Sequence, residues 1–177
     1  MQYINYYNSP LGRIILLSNG EELTGLQFEG KSKYYSLPEK GKFEIKNLPV
    51  FEQTEKWLDI YFDGKEPGFT PPLCLSSTPF RTAVWDILLI IPYATVTTYG
   101  EIARIIAKKN GINRMSAQAV GGAVGHNPIP IIVPCHRVVG ANGSLTGYAC
   151  GLDLKQKLLT LENVDMSKLF FPKSDIR

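Results

Sequence analysis

Apolar and polar positions change rhythm part-way along this chain. In the first third the apolar residues come in short runs, Gly12–Ser18 (GRIILLS) and Leu23–Phe28 (LTGLQF), separated by Asn19-Gly20. Such a pair accepts the positive φ of a tight turn, so the two runs are predicted to be strands of a hairpin. Residues 29–48 are charged and irregular, with one further apolar patch at Phe43–Ile45. Over residues 50–62, Phe51, Thr54, Trp57, Leu58 and Tyr61 recur at helical spacing, and Asp63-Gly64 closes that helix. Four prolines (Pro67, Pro71, Pro72 and Pro79) make residues 65–79 read as a linker.

Beyond the linker the spacing is helical throughout. Phe80, Val84, Trp85, Leu88 and Leu89 form one stripe, opened by Thr78-Pro79 and closed before Pro92. Thr98 with Glu101 is a capping-box pattern starting a helix over residues 99–108, which Asn110-Gly111 breaks. Ser116 opens another over 117–125, stopped by Asn127-Pro128, and the pair has the outline of a helix-turn-helix. A last helix is expected over 155–162. The organisation expected is a small α/β scaffold domain over 1–72, a linker over 73–79, and a mainly helical domain over 80–177 holding the helix-turn-helix and a pocket. The helix 117–125 is rich in Gly and Ala, and each interior Gly costs roughly 1 kcal/mol relative to Ala. Either it packs tightly on a neighbouring helix, or it is slim because it lies against a narrow DNA groove.

Composition narrows the chemistry. The chain has 177 residues, three cysteines and two histidines. Cys74, Cys135 and Cys150 form no CxxC pair, so neither a structural zinc site nor another metal centre is expected, and the cysteines are read as thiols. The longest apolar runs, residues 87–91 and 129–133, are too short to span a bilayer, and the first residues lack signal-peptide character; a cytoplasmic protein is expected. Charge is uneven. Residues 1–80 hold 8 Lys/Arg against 10 Asp/Glu, whereas residues 81–140 hold 6 against 2. An anionic partner would meet the middle of the chain, although a merely solvated basic face has the same composition.

Residues 127–140 read NPIPIIVPCHRVVG, an apolar strand-like run that ends in Pro134 with Cys135 and His136 side by side after it. A lone cysteine is most often a buried filler. Here Pro134 fixes the backbone that leads to Cys135, His136 is an adjacent base, and Arg137 adds positive charge that favours a thiolate. These features make Cys135 a candidate nucleophile, with a bridging water as one route for its proton.

PCHRVV, preceded by AVGGAVGHNPIPII and followed by GYACGL, resembles the active-site region of the O6-alkylguanine-DNA alkyltransferases, or methylated-DNA–protein-cysteine methyltransferases. The resemblance extends upstream through TPFRTAVWDILLIIPYATVTTYGEIA and more loosely through SPLGRIILL and YFDGK, so it covers nearly the whole chain. It implies a ribonuclease H-like first domain and a single-turnover transfer of an alkyl group from O6-alkylguanine (or O4-alkylthymine) in double-stranded DNA, approached from the minor groove, with no cofactor and a monomeric protein. It also implies roles. Cys135 is the acceptor, His136 the base acting through water, Glu162 the group orienting that histidine, and Asn127 a tie between the cysteine segment and the helix-turn-helix. Tyr99 binds the flipped base and helps protonate it on leaving, Tyr148 walls the pocket, and the Val138 backbone reads the guanine edge. Arg137, Arg114, Ala117, Gln118, Gly121 and Gly122 complete the DNA-facing set.

The chain departs from the family pattern at two places. Gln118 stands where many relatives place an arginine that fills the gap left by the flipped base; Gln118 is expected to fill it here, with Arg114 or Arg104 supplying charge, and the turn between residues 99 and 118 is longer than in some relatives. Cys150 stands where glycine is usual and could narrow the pocket or pair oxidatively with Cys135. Cys74 is read as structural and His126 as without special role. Rival classes are a DNA-binding regulator or damage sensor, against which the retained cysteine counts, and a cysteine hydrolase, for which an adjacent Cys-His pair is atypical.

Overall fold

The computed structural model describes residues 1–39 and 41–173. The chain divides into two compact units: Met1–Leu75 together with Pro128–Ile132, and Ser76–Asn127 together with the chain from Val133 onward.

The first unit is a four-stranded sheet with one helix. Strands β1 (Gln2–Ser9), β2 (Gly12–Ser18), β3 (Leu23–Phe28) and β4 (Phe43–Ile45) lie in the order β3-β2-β1-β4. The β1–β2 and β2–β3 pairs are antiparallel and β1–β4 is parallel. The predicted hairpin is β2–β3; Asn19 shapes its turn by accepting the Glu21 and Glu22 amides at 3.0 and 2.8 Å. Strand β1 escaped the pattern reading because Ile4 is its one fully enclosed apolar residue, leaving little alternation to see. Helix α1 (Pro49–Phe62) buries Val50, Phe51, Thr54, Trp57, Leu58 and Tyr61, the stripe predicted plus its first turn.

Two segments assigned elsewhere by the sequence belong to this unit. β3 is an edge strand, and its outward donors need partners. Leu26 donates to the Pro128 carbonyl at 2.9 Å and Leu23 to the Pro72 carbonyl at 2.8 Å, while Cys74 donates to Leu23 at 2.9 Å. Prolines supply carbonyls to that edge without bringing donors of their own. Part of the expected linker is therefore tied to the sheet, and residues 128–132, expected in the second domain, fall within the first unit.

The second unit holds α2 (Pro79–Leu89), β5 (Thr97–Thr98), α3 (Tyr99–Lys109), α4 (Ala117–Gly125), β6 (Val138–Val139) and α5 (Leu152–Leu161). The three predicted caps are present. Thr78 accepts the Arg81 amide, Thr98 and Glu101 form a reciprocal capping box, and Ser116 accepts the Ala119 amide. Helix α4 packs on α2 and α3, and Trp85 donates its indole N–H to the Ala123 carbonyl at 2.9 Å. Strands β5 and β6 pair in parallel, Thr97 opposite Val138 and Thr98 opposite Val139, which sets the start of α3 beside the residues following Cys135. The tail after α5 returns to the loop ahead of that helix. Leu145 donates to the Phe170 carbonyl at 2.8 Å and Phe170 to the Gly143 carbonyl at 3.1 Å. Val164, Met166, Leu169 and Phe171 pack there on Val139, Leu145 and Leu159. Gly143 is obligatory at this crossing, since its φ is +88° and a Cβ would lie 2.1 Å from the Lys168 carbonyl oxygen. Among the described residues no helix is long and apolar enough to cross a membrane.

Candidate active site

Cys135 is not at the end of a strand, as its apolar lead-in suggested. Prolines at 128, 130 and 134 remove the donors a ladder needs, and the chain instead turns. Pro134 (φ −80°, ψ 64°) forms an inverse γ-turn closed by the Cys135 amide on the Val133 carbonyl at 2.8 Å. Cys135–Arg137 then make one 3₁₀ turn, with the Arg137 amide on the Pro134 carbonyl at 3.0 Å. Asn127 donates from Nδ2 to the Val133 carbonyl at 2.7 Å, joining the stretches of chain that flank residues 128–132.

Around the sulfur the environment is enclosed and polar. Cys135 is 5 % exposed. Burial pushes its thiol above the ordinary value; hydrogen bonding to the Asn127 and Tyr148 side chains and the positive charge of Lys155 pull the other way without offsetting it. The resting sulfur is therefore a thiol, where the sequence suggested a standing thiolate.

Behind it lies a buried ionic network. His136 and Glu162 are both 0 % exposed, and His136 Nε2 meets Glu162 Oε1 at 2.6 Å. Arg137 grips the same carboxylate with two nitrogens, Nε to Oε2 at 2.9 Å and Nη2 to Oε1 at 3.0 Å, and donates Nη1 to the Ile91 carbonyl at 2.8 Å. The Ala94 amide adds a bond to Oε2 at 3.2 Å. Burial alone would raise the Glu162 carboxyl, but His136 and Arg137 outweigh it and hold it at about 2. Burial lowers His136 despite Glu162, so the imidazole is neutral near pH 7. Arg137, expected to favour the thiolate or to face DNA, points inward and its charge is taken up by Glu162.

The cation that acts on the sulfur is Lys155, which sequence reasoning missed. It is 0 % exposed and donates Nζ to the Val138 and Thr146 carbonyls at 2.6 and 2.8 Å. Burial pulls its ammonium down to about 8, against the pull of Cys135. A signal was present: Lys155 lies on the same face of α5 as Leu154, Leu158 and Leu159, a charge inside an apolar stripe.

Tyr99, first residue of α3, shares its hydroxyl proton between the Thr146 carbonyl (3.0 Å) and the Gly147 carbonyl (3.3 Å), with Lys155 Nζ 5.9 Å from its ring centroid. Burial, seconded by Cys135 in its thiolate form, raises that phenol to about 12. Thus Asn127, Cys135, His136, Tyr148 and Glu162 meet around the 3₁₀ turn, and Lys155 links Tyr99 to it. The Val138 backbone, expected to read a base, is already engaged: its amide donates to the Cys135 carbonyl and its carbonyl accepts from Lys155.

Comparison with known proteins explains this constellation. Residues 2–75 match the family described as 6-O-methylguanine DNA methyltransferase, ribonuclease-like domain, and residues 79–164 its DNA binding domain. A methylated-DNA–protein-cysteine methyltransferase of Haemophilus influenzae is 42% identical, covering 92% of this chain and 87% of that protein. One of Methanosarcina acetivorans is 42% identical, covering 90% and 97%. The chain belongs to this family. Among solved structures, Mycobacterium tuberculosis OGT in complex with DNA is similar with a TM-score of 0.77 at 38% identity, covering 94% of each chain. The family's two-domain plan, an N-terminal α/β part and a helical C-terminal part, is the plan of this chain.

The remaining predicted residues lie outside the buried cluster. Ala117, Gln118 and Gly122 are exposed on α4, and Arg114 is exposed ahead of it. Gly121 faces Tyr99, yet a Cβ there would meet the ring at an ordinary 3.8 Å, and one at Gly122 would meet nothing within 4 Å. Tight helix packing therefore does not account for these glycines. Cys150 is buried just ahead of α5, Cys74 is half-buried in the first unit, and His126 is occupied with the Gly122 carbonyl at 2.7 Å.

Proposed function

We propose that this chain repairs DNA by direct reversal, moving a methyl or other alkyl group from O6 of guanine in double-stranded DNA onto Sγ of Cys135. The observation that carries the reading is a buried cysteine on a turn tied down by Asn127, next in sequence to a buried neutral histidine held by Glu162, in a chain of this family.

An O6-alkyl carbon is out of reach inside a duplex, so the base is flipped into the protein at a cost of a few kcal/mol. Cys135 then loses its proton to neutral His136 through a water molecule, using Nδ1 because Nε2 is directed at Glu162. Glu162 stabilises the resulting imidazolium, and Arg137 holds Glu162 ionised and fixed. Lys155 stabilises the thiolate sulfur. The sulfur attacks the alkyl carbon, the carbon–oxygen bond breaks toward guanine, and Tyr99, whose high pKa keeps it protonated, delivers a proton to the departing base. Tyr99 is then reprotonated from solvent and the His136 imidazolium gives up its proton to solvent, so the proton lost by the thiol balances the one gained by guanine. The products are guanine and a thioether on Cys135. Among the described residues no group is placed to cleave a thioether, so each molecule acts once.

Helices α3 and α4 serve as a helix-turn-helix whose second helix meets the minor groove through Ala117, Gln118, Gly121 and Gly122, with Gln118 filling the vacated stack. The first unit is a ribonuclease H-like scaffold, and no cofactor is required because the alkyl group arrives with the DNA.

Intact-mass measurement after incubation with duplex containing O6-methylguanine tests the reading. The expected result is a stoichiometric gain of one methyl, mapped to Cys135 and absent in Cys135→Ser. Duplex binding without any mass gain would identify a damage sensor instead.

A further inference from the structure

Helices α3 and α4 and the turn between them enclose an open cleft of about 720 Å³ that the chemistry at Cys135 does not use. We propose that this cleft seats phosphates of the DNA backbone beside the lesion, through Arg104, Lys108 and Arg114. The inference rests on the repair reading above and assigns a specific anchoring surface to it.

Three observations support it. First, the charged residues lining the cleft are all cations: Arg104, Lys108 and Arg114 are exposed, and no carboxylate lines it. Among the described residues Lys108 and Arg114 have no ion-pair partner, and Arg104 has only Glu101 at 4.0 Å, an exposed contact of little strength that leaves it free to re-aim. Second, the floor is built for close approach by a bulky chain, since the α3 face that lines it carries, besides Arg104 and Lys108, only the small residues Gly100, Ala103 and Ala107. No aromatic ring lines the cleft, so it offers bases nothing to stack on; the backbone is the part of DNA it fits. Third, α4 needs a neighbour to supply charge. Its exposed residues Ala117, Gln118, Ala119 and Gly122 carry none, and the cleft runs onto the start of that helix at Ser116 and Ala117. A protein that positions itself on a polyanion with an uncharged reading helix depends on adjacent cations for affinity.

The salt dependence of binding reads this out. Each phosphate neutralised contributes a slope of about −0.9 to log K against log salt. The triple variant Arg104→Gln/Lys108→Gln/Arg114→Gln is expected to flatten the slope by roughly 2 to 3 and to weaken duplex binding on the order of 100-fold at ~50 mM salt, with the two proteins converging as salt rises. Lys56→Gln, removing one exposed cation from α1, is the control and leaves the slope in place. All three cleft side chains are exposed, so the thermal midpoint of the triple variant stays near that of the parent, which excludes misfolding as the cause. An unchanged slope in the triple variant, alongside normal methyl transfer by the parent, overturns the cleft assignment alone. A parent protein that neither binds methylated duplex nor gains a methyl overturns the repair reading and the cleft with it.

Discussion

Glu162 shows how much one buried carboxylate can organise. Its two oxygens take bonds from His136, from Arg137 twice and from the Ala94 amide, and the last of these is made by a residue held in left-handed backbone (Ala94 φ 59°). Because Arg137 balances its charge, Glu162 can orient His136 without forcing the imidazole to be permanently protonated. Lys155 plays the matching part on the sulfur side. Replacing it with Met removes the cation that favours thiolate, so the midpoint of the pH–rate profile for Cys135 alkylation should move to higher pH by roughly one to two units. The measurement is the pseudo-first-order rate with a small alkylating reagent across pH. A rate lowered equally at every pH would mean that Lys155 only supports the carbonyls of Val138 and Thr146.

At the scale of elements, α4 is weaker than its position requires. Space beside Gly122 is open, so Gly122→Ala should stabilise the fold by about 0.5–1 kcal/mol through helix propensity alone. If the slim face serves DNA, the same substitution weakens duplex binding several-fold. Urea unfolding and a binding titration on one variant check both signs, and a more stable protein with unaltered affinity would remove the groove role of this face. The elements also mark the limits of pattern reading. Helix α1 was legible from its apolar stripe, and α2 to α4 also because their caps are local: Thr78, Thr98 with Glu101, and Ser116 each satisfy donors within one turn. β1 was not legible, because its membership in the sheet depends on pairing with β2 on one side and the distant β4 on the other. Residues 128–134 looked like a strand by apolarity, but strands need donors, and three prolines withhold them.

For the whole molecule, acid should act through the same buried network. His136 is depressed below its ordinary 6.5, so the unfolded chain binds the extra proton first and stability declines as pH falls below that value. Glu162 is depressed from 4.5 to about 2; its contribution is complete above 4.5 and is lost as pH falls through about 2. The urea midpoint is expected to fall in two stages between pH 7 and pH 2. Glu162→Gln should begin from lower stability and flatten the lower stage, whereas an identical acid profile in that variant would assign the loss to other carboxylates.

The order of elements, the caps, the uneven charge and the PCHRV segment are properties of neighbouring residues, and the sequence by itself determined them. Which cation faces the sulfur was decided only by the tertiary structure. Arg137 is two positions from Cys135 yet spends its charge on Glu162, while Lys155, on a later helix, is brought in by burial of the apolar face it shares. Proximity along a chain fixes backbone geometry, but electrostatic partners inside a protein are chosen by packing and by the need to satisfy every buried charge.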